Sequence, residues 1–346
     1  MGGGDPIVSP ESAVHREFAR LYAVARRIAR PSVDRWSGVL RAAYTPPGEQ
    51  QRWGAFDPAS GDISLSAELV LPYLTGPGSR VAGPAQGQAL ATVLHEATHA
   101  GMETDAPDEP NAVRTAESLA LIEAFAEYRA VQQFETFAAA AGYPEAYLTT
   151  PQYPGWYTAM DDLVRQVSGP VKDRAAFLNE AIQGPGALHF DQLADSVVKN
   201  RLTHDVPTTE NDQRAARAAL IPAMTHRLWP SLRSRPAESG LMVANEIRQH
   251  LDAEVDKIRH HYRSTSRTPY PADPPNPAAI QLRPADARTT QPEQAPSPSG
   301  VAMRFLDAQA PASRATSFRP TLAQGARGAG SPTTPKAQRP TERRWD

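Results

Sequence analysis

The chain has 346 residues, with 36 basic and 38 acidic side chains for a formal charge of −2, and it contains no cysteine. So even a balance withholds the basic surface that nucleic acid requires, and the missing thiols exclude disulfides, iron–sulfur clusters and thiolate zinc sites, leaving His, Asp and Glu as the good metal ligands. No apolar run approaches a membrane span, and the opening MGGGDPIVSP lacks the basic and hydrophobic parts of a secretory signal; a soluble, cytoplasmic protein is expected, with a signal-less export route left open.

In chain order, Ser9 or Ser12 is placed to cap a first helix through AVHREFARLYAVARRIAR, where Val14, Phe18, Leu21 and Ala25 share a face, and Pro31 ends or restarts it. RWGAF, the turn DPASGD and ISLS then read as a short antiparallel pair with Ile63 and Leu65 on one face. A helix is expected at AELVLPYL. Another follows from about Gln86 to Gly101, and after the loop METDAPDEPN one long helix is expected from about Ala112 to Ala140. An aromatic connection over 142–157 leads to helical stretches near 158–168, 172–203, 208–229 and 238–262. From 265 to 346 the chain is rich in Pro, Ser, Thr, Gln and Ala with no sustained apolar period; it reads as a disordered tail and as a candidate segment for binding a partner protein. The expected fold class is mainly α with a small β element.

The chemistry concentrates in His95-Glu96-Ala97-Thr98-His99. Histidines four apart on a helix lie one above the other, so both imidazoles can reach one zinc ion, and the Glu beside the first is placed to act as base on the water that the ion activates. A catalytic zinc needs a third protein ligand and an open fourth position. Asp105 falls six residues after His99, where metzincins place that ligand, but the Gly those sequences carry three residues after the second His is Met102 here. Glu123 and Glu127, in IEAFAEY on the next helix, share a face at i, i+4, so that one can bind the metal while the other orients a histidine. The small residues Ala116, Ala120, Ala124 and Ala130 suit close helix contact. Glu117 is a weaker carboxylate.

Here the chain resembles the gluzincins, the zinc peptidases that pair HExxH with a downstream Glu in a segment like NEGFAEY. The match begins at Glu123 and departs at Ile122 and Ala124, and the resemblance spans roughly residues 50 to 135. It implies a zincin-like α+β domain over 1–157, followed by a helical subdomain over 158–264 and the tail. It also implies zinc held by His95, His99 and Glu123, with Glu96 as general base, acting on a peptide or protein. The hairpin ending in DISLS is similar to the edge strand that zincins run beside their substrate cleft. The family also stabilises the oxyanion with a downstream His or Tyr, a role for which His226, His204, Tyr153 and Tyr157 are candidates, His226 taken first. Two other readings stand beside this one: a non-catalytic protein on a zincin scaffold, and an effector or toxin protease delivered without a signal peptide.

Overall fold

The structure is a computed structural model that describes residues 5–46, 51–77, 83–264 and 268–270, all within one compact unit. It is mainly helical, with one small sheet. Helix α1 (Ala13–Ala29) starts where the Ser12 side chain accepts the His15 N–H and ends at Arg30, whose left-handed φ of 49° lets its N–H close on the Arg26 carbonyl.

Three strands follow: β1 (Leu40–Ala43), β2 (Gly54–Phe56) and β3 (Ile63–Ser66), in the order β1-β3-β2. The hairpin expected from RWGAF and ISLS is the antiparallel β2–β3 pair, with Gly54 opposite Leu65 and Phe56 opposite Ile63. β1 is an addition, parallel to β3, with Leu40 opposite Ile63. A four-residue strand whose hydrogen-bonding partner lies twenty residues on has no local turn to announce it. The helix expected at AELVLPYL is instead a turn and a single 3-10 turn at Leu71–Tyr73. Ser66 Oγ accepts the N–H groups of Glu68 and Leu69 there, and Pro72 supplies no N–H to carry a helix on.

Helix α2 (Pro84–Ala100) carries the HExxH residues and is buried nearly all round, because α1, β2, α4 and α3 enclose it. The long helix expected over 112–140 divides in two. Helix α3 (Ala116–Gln132) begins at a capping box in which Thr115 and Ser118 satisfy each other's N–H groups, and α4 (Phe134–Ala140) restarts after a non-helical Gln133. The break lets two helices serve different cores. Phe134 and Phe137 of α4 join α1, α2 and the strands in one apolar cluster, whereas Leu121, Ala124, Phe125 and Tyr128 of α3 join the helices that follow in a second.

Those helices are α5 (Pro154–Val167), α6 (Arg174–Ile182), α7 (His189–Arg201), α8 (Glu210–Met224) and α9 (Ala237–Arg263), with a 3-10 turn at Trp229–Ser234. The stretch expected over 172–203 is broken by Gly184-Pro185. Gly240 lets α9 touch the backbone of α5, since a Cβ on it would stand 2.3 Å from the Gly155 carbonyl oxygen, and Gly155 makes room for the Leu232 carbonyl of the 3-10 turn, which a Cβ would meet at 2.4 Å. Trp229 is fully buried with its indole N–H on the Met224 carbonyl, and its own carbonyl accepts the indole N–H of Trp156. Apart from 268–270, where Tyr270 bonds Tyr262 and Glu254 on α9, the tail expected over 265–346 lies outside the described residues. Among the described residues no helix is long and apolar enough to cross a membrane.

Candidate metal centre

Helices α2 and α3 pack side by side, and the polar residues of their contact face each other. His95 Nε2 lies 3.4 Å and His99 Nε2 3.5 Å from the same oxygen, Oε2 of Glu123. One ligand atom from each of the three residues falls within 4.8 Å of the others, and no other such group occurs among the described residues. Glu127, one turn further along α3, stands behind this trio. Its Oε2 is 3.5 Å from His95 Nδ1, and its Oε1 accepts the backbone N–H groups of Gln152 and Tyr153 at 2.7 and 3.3 Å.

The two glutamates therefore divide their work by position. Glu123 faces the ring nitrogens that point into the cluster, and Glu127 faces the opposite nitrogen of His95. Sequence spacing put both carboxylates on one face but could not say which was which. Glu127 is also no solvated residue: at 3% exposure it is as buried as Glu96.

Glu96 lies on the side of α2 that meets the sheet. Its Oε2 is buried with no hydrogen-bond partner, as are His95 Nδ1 and His99 Nε2. Buried polar atoms are rarely left so. Of these, His99 Nε2 faces the Glu123 carboxylate, whereas His95 Nδ1 is the nitrogen turned toward Glu127; a buried imidazole nitrogen left without a hydrogen bond beside a carboxylate is the pattern expected of a site built for a cation. The donor set of two imidazoles and one carboxylate fits zinc.

The buried charges of this cluster act strongly on one another. Burial favours a neutral His95, but the carboxylates of Glu123, Glu127 and Glu96 outweigh it and bring its pKa to about 10. Burial likewise favours a protonated Glu123, yet the adjoining His99 and His95 hold it well below the usual carboxylate range. Glu96 goes the other way, raised because burial exceeds the help of the two histidines. A carboxyl whose pKa burial has raised is suited to taking up and releasing a proton.

The remaining candidates separate clearly. Tyr153 is at the site, its ring 6.2 Å from that of His95 and its hydroxyl 3.0 Å from Gln152 Nε2; burial pushes its pKa up to about 12. Arg233, from the 3-10 turn, lies over the Tyr153 ring at 5.4 Å. His226 is committed elsewhere: Nε2 meets Glu246 of α9 at 2.9 Å, and Nδ1 accepts the Leu228 N–H. The expectation that His226 joins the site is not met, because its ring serves the junction with α9 instead. His204 lines a surface cavity between the ends of α7 and α9 with Arg259 and Arg263. Tyr157 bonds Gln132 and stacks on Tyr128. Asp105 is half-exposed and bound to Arg114 at 2.7 Å and to the Ala106 N–H, so it closes its own loop and leaves the cluster to Glu123.

Two residues without a place in the sequence reading adjoin the cluster. Arg129 is 2% exposed and donates to Thr98 Oγ1, the Ala25 carbonyl and Gln133 Oε1, joining α3 to the last turns of α1 and α2. The carbonyl ends of two helices offer it partial negative charge in place of a carboxylate. His189 packs on Phe125 at 4.7 Å, with Nε2 on the Ala181 carbonyl and Nδ1 without a hydrogen-bond partner among the described residues.

Comparisons with protein-family models, with curated proteins and with solved structures returned no match to this chain.

Proposed function

We propose that the chain is a zinc-dependent peptide-bond hydrolase with a zincin-like, gluzincin-type centre. The observation that carries this reading is the convergence of His95, His99 and Glu123 on one point, with the unpartnered carboxylate of Glu96 on the neighbouring turn of α2. His95, His99 and Glu123 would hold the ion. When bound, zinc supplies a Lewis acid that polarises the substrate carbonyl and eases ionisation of water.

The chain's own groups do the rest. Glu96 takes the proton of the attacking water as its oxygen bonds to the carbonyl carbon, and passes that proton to the amide nitrogen as the C–N bond breaks. Glu127 holds His95 with Nε2 toward the cluster. Tyr153 is the hydroxyl placed to donate to the developing oxyanion. Glu96 also favours an enzyme over a zincin scaffold used only for binding, since a purely structural metal has no use for a buried base beside it.

The test measures zinc by mass spectrometry and hydrolysis of labelled casein. Wild type is expected to hold about one zinc per chain. His95→Ala and Glu123→Ala should lose it, Asp105→Ala should keep it, and Glu96→Gln should keep the metal while losing at least ~100-fold in turnover. A folded wild type that takes up no zinc, or a Glu96→Gln variant that still turns over, would overturn the assignment.

A further inference from the structure

Strand β2 begins with a glycine that its backbone does not require. Gly54 pairs with Leu65 in regular antiparallel register, and its φ is not in the left-handed region that other glycines of the chain, such as Gly61 at 78°, occupy. A glycine in a strand forfeits side-chain packing and costs chain entropy, so some other demand must hold it there. The side of β2 that carries Phe56 into the apolar cluster also turns position 54 toward α2. A Cβ at Gly54 would lie 2.6 Å from Glu96 Oε1, 3.0 Å from Glu96 Cγ and 3.0 Å from Thr92 Cγ2.

The closest of these contacts is to the carboxylate and not to backbone. We propose that Gly54 is a positioning residue for the general base: the missing side chain is the space in which the Glu96 carboxylate sits. The edge strand thereby limits where the base can lie, and the carboxylate end, the softest part of the contact, yields first when the space is filled. This rests on the hydrolase reading for its catalytic meaning, though the steric contact itself does not.

Two measurements on the full chain test it. The first needs no substrate. In metal-free protein, Gly54→Ala should lower Tm more when Glu96 is present than in Glu96→Ala, where the contacts to the glutamate are gone and only Thr92 Cγ2, at 3.0 Å, is left. Equal shifts in both backgrounds would overturn the proposal. If Gly54→Ala alone does not fold, Gly54→Ala/Glu96→Ala should, and its failure would count the same way.

The second uses labelled casein. Gly54→Ala should keep its zinc and its KM but lose roughly 100-fold in kcat, the order expected when a catalytic group moves by about an ångström. Glu96→Asp draws the carboxylate back from β2, so in that background the further loss from Gly54→Ala should shrink to less than about threefold, the remainder left by relieving the displacement. A full 100-fold loss in both backgrounds, or unchanged kcat in the single variant, would overturn it. A wild type inert toward casein but showing the Tm pattern would count against the hydrolase reading and leave the contact standing.

Discussion

Two carboxylates a few ångströms from His95 have opposite surroundings. Glu123 is held ionised by the histidines it faces, whereas burial raises Glu96. Glu127 contributes through His95, so Glu127→Ala should leave the three ligands in place yet weaken zinc binding about 10- to 100-fold, measured by competition with a chromophoric chelator. His189 is a separate case. Burial brings its pKa down to about 4, so the folded chain keeps it neutral where the unfolded chain protonates it near its ordinary value of 6.5. Its contribution is therefore complete above pH 6.5 and is lost as pH falls toward 4, by about 3 kcal/mol for a shift of this size. Denaturant unfolding of chelator-treated protein should show a flatter loss over that interval for His189→Gln than for wild type. His95, Glu96 and His99 were legible from spacing alone, because one helical turn fixes their relation. Glu123 and Glu127 were legible as a pair but not by role, Tyr153 only as one of four candidates, and His189 not at all, since these roles arise from helices and a loop meeting in space.

At the scale of elements, the centre depends on how closely α2 and α3 approach. Glu123, Glu127 and Ala130 follow one another at i, i+4 and i+7, so Ala130 continues the face that carries the carboxylates, and it is buried to 1% exposure. Ala120 and Ala124, which suited the same contact in the sequence, turn instead into the second core. Ala130→Leu should cost about 1–3 kcal/mol in urea unfolding by overpacking that contact, and should weaken zinc binding as well. Unchanged metal affinity in a destabilised variant would show that the spacing of the two helices is not what sets the site. The helices themselves followed from periodicity and capping residues. The division at Gln133 did not, because it is decided by which of two cores the next apolar residues enter; at Gly184-Pro185 the apolar residues on both sides enter the same cluster.

Among the described residues there are two apolar clusters, and the candidate site lies on the seam where α2 and α3 join them. Trp36 and Trp53 pack on the first cluster, Trp156 and Trp229 lie in the second, and α2 and α3 contribute one side each to the metal centre. Unfolding should therefore be a single cooperative transition. Fluorescence of the Trp36→Phe/Trp53→Phe/Trp345→Phe variant, which keeps only Trp156 and Trp229, followed alongside far-ultraviolet circular dichroism, should give coincident midpoints; midpoints that separate would mean the clusters melt independently. Arg129 draws out what the seam implies for a chain still on the ribosome. A nascent chain synthesised only to residue 110 already holds both histidines and Glu96, yet lacks the guanidinium that joins the ends of α1 and α2 and the carboxylate that completes the ligand set. The part made first waits for the part made next, and the hydrolytic centre proposed here, assembled in that order, would stay unarmed while its own chain is still open to attack.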